Sequence, residues 1–133
     1  MVVLHSTNSG NNRLVAQLIA RHLGCQTFAA ADNPDLSHYN SIILVVANSG
    51  DEELQPQMEE YLCGLKLTGK DYFLCELGNY FFFGEYKGCK QVAAALLDAL
   101  GWTKRGETCV DTVPTLDTGA LEAWLQNEFP HTD

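Results

Sequence analysis

The stretch from Met1 to Arg13, MVVLHSTNSGNNR, decides how the chain is read. Val2-Val3-Leu4 is an apolar run rich in β-branched residues, as expected of a strand buried on both faces, and His5 ends it. Without a spacer it enters a small polar loop, Ser6 to Asn12, and a helix follows at once. Leu14, Leu18, Ile19 and Leu23 are expected on one face of that helix, with Arg13, Gln17 and Arg21 elsewhere. A helix start offers unpaired backbone N–H groups and the positive end of the macrodipole. Thr7, Ser9, Asn11 and Asn12 add donors, and Gly10 lets the backbone fold closely, so the loop suits a phosphate. The same residues are also ordinary turn and cap formers.

Working outward, the rest of the chain repeats the strand, loop and helix pattern. Gly24 is placed to end the first helix, and Cys25 to Ala30 reads as a second strand. Residues 31 to 39 read as a loop with a helix cap at Asp35 or Ser37. Ser41 to Ala47 contains five consecutive apolar residues, the pattern of a central strand in a parallel sheet covered on both sides. Leu54 to Leu65 reads as a helix with Pro56 in its first turn. Lys70 to Glu76 is a fourth strand, Gly88 to Leu100 a helix closed by Gly101, Thr103 to Val110 a fifth strand, and Leu116 to Phe129 a last amphipathic helix. Five strands alternating with helices predict a single α/β domain, residues 1–133, with a doubly wound parallel sheet and right-handed crossovers. Ligands of such sheets bind at the carboxyl ends of the strands, where three polar loops converge, after the first, third and fourth strands.

Composition narrows the classes. A net charge of −9, from 17 acidic and 8 basic residues, opposes binding to nucleic acid or to anionic membranes and favours a basic protein partner. No apolar run reaches the roughly 20 residues of a membrane span, and a cytoplasmic location is expected. Cys25, Cys63, Cys75, Cys89 and Cys109 include no CxxC and are read as reduced core residues. No His stands at ligand spacing to another His or Cys, so no metal site is expected.

Three segments carry a family resemblance. Thr7-Asn8-Ser9-Gly10-Asn11-Asn12 resembles the flavodoxin phosphate loop, [ST]-x-[ST]-G-x-T, with Asn12 in place of the last threonine. Ile43 to Leu62 resembles the second flavodoxin loop and helix: Gly50, Asp51, Glu53 and Leu54 match, while Ala47, Asn48 and Ser49 replace the hydroxyl pair and the inner aromatic. Cys75 to Leu100 resembles the other flavin loop, with Gly78-Asn79 matching and Tyr80-Phe81-Phe82-Phe83 offering the outer aromatic, at Tyr80 or Phe82. The chain thus resembles the short-chain flavodoxins, whose sheet order is 2-1-3-4-5.

The resemblance implies a flavin mononucleotide site made of Thr7, Asn8, Ser9, Gly10, Asn11, Asn12, Ala47, Asn48, Ser49, Gly50, Leu77, Gly78, Asn79, Tyr80 and Phe82. It implies a monomeric electron carrier rather than an enzyme, exchanging single electrons with a basic reductase and an acceptor. The peptide at Gly50-Asp51 would flip to accept a hydrogen bond from the reduced ring. Asp51, Glu52, Glu53, Glu59 and Glu60, with Glu76 and Glu85 on the neighbouring loop, would surround the flavin with like charge. The alternatives are a flavodoxin-like binding or regulatory module with weak or lost flavin binding, and a small reductase dependent on flavin mononucleotide.

Overall fold

A computed structural model describes residues 1–6, 10–47, 54–78, 89–112 and 115–130. Its strands are β1 (Val2–His5), β2 (Gln26–Ala29), β3 (Ser41–Ala47), β4 (Asp71–Gly78) and β5 (Thr103–Asp111). All pair in parallel, in the order β2-β1-β3-β4-β5. Among the described residues the helices are α1 (Gly10–Leu23), α2 (Pro56–Cys63), α3 (Cys89–Asp98) and α4 (Thr118–Glu128), with a 3-10 turn at Ala30–Asp32.

The alternation of strand side chains divides the core into two layers. Leu4, Ile42, Leu44, Val46, Tyr72 and Leu74 pack with α2 and α3, whereas Val3, Ile43, Val45, Cys75, Leu77 and Val110 pack with α1 and α4. Both faces of β3 are therefore covered, which is why its sequence carries no polar alternation.

The helix faces depart from the leucine pattern. In α1 the buried stripe is Asn12, Val15, Ala16, Ile19 and Ala20, and Leu14 is 44% exposed. A helix lying flat on a sheet favours small and β-branched residues along its contact line, so the leucines of α1 fall to its flanks. Gly24 ends α1 as expected: its φ is +68°, and the Cys25 amide reaches back to the Ala20 carbonyl at 3.0 Å.

Asp35 and Ser37 cap no helix. The Ser37 amide donates to the Asp35 carboxylate at 2.9 Å, a local turn that holds this carboxyl below its ordinary range. Cys63 is exposed at the end of α2, against the expectation of a core residue. Cys75 and Cys89 are buried, Cys25 and Cys109 half-buried, and all five are free thiols. Burial pushes the Cys75 thiol far up, which leaves it inert.

Candidate functional site at the carboxyl edge of the sheet

The register brings the strand ends together. His5 lies beside Val45, Ala47 beside Leu77, and Gly78 beside Asp111. The segments leaving β1, β3, β4 and β5 therefore depart from one edge. β1 lies between β2 and β3, and α1 covers the opposite face from α2, so the connections diverge at β1 and β3.

Ser6 fixes the root of the first loop. Its amide and its hydroxyl both donate to the Val45 carbonyl, at 3.1 and 3.2 Å. The Ser6 hydroxyl is thus occupied by the scaffold. Beyond it, Gly10 stands at the first position of α1 with φ +63°, and no atom of the other described residues lies within 4 Å of where a Cβ would stand. Asn11 is exposed. Asn12 is only 6% exposed, and its side-chain oxygen is buried with no hydrogen-bond partner among the described residues. Orphaned buried polar atoms are uncommon, and the two ends of an asparagine amide exchange by a half-turn. The first turn of α1 therefore holds a buried amide whose oxygen has no partner among the described residues, beside Gly10 and the positive end of a helix dipole. That set fits a phosphate.

Ala47 ends β3 as expected, whereas Leu77 and Gly78, expected to open the third loop, are the last two residues of β4. Gly78 is buried, and its carbonyl accepts from the Thr112 amide at 3.0 Å and from the Thr112 hydroxyl at 3.3 Å. The remaining expected site residues, Thr7, Asn8, Ser9, Asn48, Ser49, Gly50, Asn79, Tyr80 and Phe82, lie outside the described residues. So do Asp51, Glu52, Glu53 and Glu85.

Glu76 does not join an acidic rim. β4 runs two residues further than the sequence suggested, so Glu76 is inside the strand and fully buried on the α3 face. Its Oε2 accepts the Lys90 amide at 2.9 Å and lies 3.5 Å from the Cys89 thiol, which also donates to the Ala47 carbonyl at 3.3 Å. A carboxylate and a thiol thus dock the start of α3 onto the ends of β3 and β4. The signal was present in the sequence: a lone glutamate inside the apolar run Leu74 to Leu77 requires a buried partner.

Lys90 extends the same junction toward β5, with Nζ 3.2 Å from the Cys109 sulfur and 3.5 Å from Glu107 Oε2. Burial alone would depress its ammonium pKa. The Cys109 sulfur, then Glu107 and Glu76, outweigh that and hold it above the ordinary lysine value.

A cavity of about 750 Å³ lies elsewhere, between residues 30–36 and α2 with the residues that follow it. The Tyr61 hydroxyl donates to the Pro34 carbonyl at 2.6 Å, and burial pushes its pKa up to about 12, with Asp35 adding to the shift.

Strand order and the divergence of the connections at β1 and β3 define a doubly wound α/β sheet. More particularly, the fold is that of the flavodoxins. Flavodoxin 1 from Bacillus cereus superposes with a TM-score of 0.76 at 20% identity, covering 99% of this chain and 98% of that one. Two-electron reduced flavodoxin from Megasphaera elsdenii gives 0.72 at 21%, covering 92% and 93%. Flavodoxin from Fusobacterium nucleatum, bound to flavin mononucleotide, gives 0.64 at 20%, covering 77% and 66%. No family model and no curated protein matches the sequence.

Proposed function

We propose that this chain binds flavin mononucleotide at the carboxyl edge of its sheet and passes single electrons between a basic reductase and an acceptor. The observation that carries the reading is the first turn of α1, where the side-chain oxygen of buried Asn12 has no partner among the described residues and none of these crowds Gly10. The solved structures of the same fold, one of them bound to flavin mononucleotide, supply the ligand.

In this reading Thr7, Asn8, Ser9, Gly10, Asn11 and Asn12 hold the phosphate, largely through neutral donors. Ala47, Asn48, Ser49 and Gly50 line one side of the ring, and Leu77, Gly78, Asn79 and Tyr80 or Phe82 the other. The flavin supplies the redox chemistry, while the chain sets orientation, access and potential. Glu76 contributes by fixing the loop roots rather than by facing the ring. A chain of charge −9 attracts basic partners, at rates that fall with salt. We place this exchange in the cytoplasm and assign it to a monomer that is a carrier rather than an enzyme.

Titration of the chain with flavin mononucleotide should quench flavin fluorescence at one equivalent. Stepwise anaerobic reduction should then proceed in two separate one-electron stages. Absence of quenching would leave a flavodoxin-like module without its cofactor, and turnover of a nitro or quinone substrate would make it a reductase.

A further inference from the structure

The third loop leaves the sheet after Gly78, the last residue of β4, and the chain is tied down again at Cys89, the first residue of α3. Cys89 is fully buried, and its thiol proton is shared between two acceptors, the Ala47 carbonyl at 3.3 Å and Glu76 Oε2 at 3.5 Å. Ala47 is the last residue of β3, where the second loop departs, and it lies beside Leu77 in the register. One side chain therefore touches the root of the second loop and the root of the third. Glu76 completes the link, because the same Oε2 accepts the Lys90 amide at 2.9 Å. From the other side, the Gly78 carbonyl is held by Thr112.

Docking of α3 does not by itself require this arrangement. Ala93 and Leu97 bury an apolar face of the helix on the sheet, and such burial holds a helix in place without polar contacts. A carboxylate is costly to bury and a thiol is a weak donor, so neither is an economical source of stability. What a buried polar network supplies is direction: it specifies which atoms meet. Here the atom specified is the Ala47 carbonyl, in the peptide from which the second loop starts.

We infer that Cys89, acting with Glu76, is a positioning residue of the proposed site. It couples the second loop to the third, so that the two sides of the flavin ring are set as one unit. The inference rests on the flavin reading and adds to it a thiol that works through the Ala47 carbonyl.

The test measures the dissociation constant of flavin mononucleotide for the chain and for four variants. Cys89→Ala removes the donor and should weaken binding about tenfold, the lower end of what loss of a supporting hydrogen bond costs a site. Cys89→Ser keeps a donor and should recover most of that loss. Leu97→Val loosens the same helix through its apolar face, so it should lower the urea midpoint and leave the affinity within about twofold. Glu76→Gln should weaken binding, and combined with Cys89→Ala it should lose no more than the larger single loss, because the two act through one contact. The inference is overturned if Cys89→Ala loses no more affinity than Leu97→Val, if Cys89→Ser recovers nothing, or if the losses at Cys89 and Glu76 multiply. If the parent chain binds no flavin, the flavin reading fails, and the coupling is decided on the free chain by the carbonyl carbon resonance of Ala47. Movement of that resonance in Glu76→Gln as well as in Cys89→Ala sustains the coupling, and a resonance that ignores Glu76→Gln overturns it.

Discussion

The two edges of the sheet are finished in opposite ways. At the amino edge each connection is tied to the next. The Asp71 amide donates to the Asn40 carbonyl at 3.0 Å, the Thr103 amide to Lys70 at 2.8 Å, and the Gly69 amide to Leu100 at 3.3 Å. The Trp102 indole donates to the Leu67 carbonyl at 2.9 Å and Lys70 Nζ to the Tyr39 carbonyl at 2.6 Å. At the carboxyl edge two buried polar oxygens have no partner among the described residues, those of Asn12 at the start of α1 and Gln55 at the start of α2. Natural chains seldom leave such atoms unpaired, so the contrast marks the edge where a ligand completes the hydrogen bonding.

That contrast is open to breakage at the amino edge first. Trp102 is 4% exposed and sits in the α2/α3 layer. Trp102→Ala should cost about 3 to 5 kcal/mol of stability by urea denaturation. A loss below about 1 kcal/mol would mean that the edge is not held together as described.

Glu76→Ala comes next, at about 1 to 3 kcal/mol, because the Lys90 amide loses its buried acceptor. Glu76→Gln, which keeps an acceptor, should recover part of that loss.

A smaller effect is expected from alkali. Tyr61 has a folded-state pKa of about 12, and Tyr72 is shifted in the same direction by burial and by its 2.7 Å hydrogen bond to Asp98. An unfolded tyrosine titrates near 10. The neutral phenols therefore favour the fold fully below about pH 10, and their contribution falls as pH rises toward 12. Tyr61→Phe should flatten that part of a stability profile followed by denaturation at each pH, and an unchanged profile would count against the Tyr61–Pro34 contact.

The smallest change in stability belongs to the open edge and sharpens the comparison most. Asn12→Ala should alter stability by less than about 0.5 kcal/mol, or raise it, because an unpaired buried amide disappears. The same variant should weaken flavin binding about tenfold. A large loss of stability with unchanged binding would make Asn12 a structural residue.

Much of this was legible in the sequence because β1 and β3 are continuous apolar runs and Gly24 and Gly101 punctuate the helices, both at positive φ. The face of α1 was not. Leucines at 14 and 18 dominate the helical periodicity, yet the sheet accepts Val15, Ala16, Ile19 and Ala20, a choice set by how closely the helix approaches the strands. The proposed phosphate turn rests on Gly10 and its polar neighbours in the sequence, together with the burial of Asn12 that only the structure gives. The partners of Glu76 could not be read, because Ala47, Glu76 and Cys89 form no local motif and meet only when α3 returns to the sheet.

The five thiols also differ in reach, and that has a practical use. Cys63 is the one exposed cysteine, at the end of α2, while the other four are buried or half-buried. Because α2 runs back from the carboxyl ends of the strands, Cys63 sits toward the opposite side of the molecule from the proposed ligand. A maleimide dye or a gold surface attached there would orient every molecule with its open edge outward. Electrode measurements on such a film would address that edge without any change to the residues that form it.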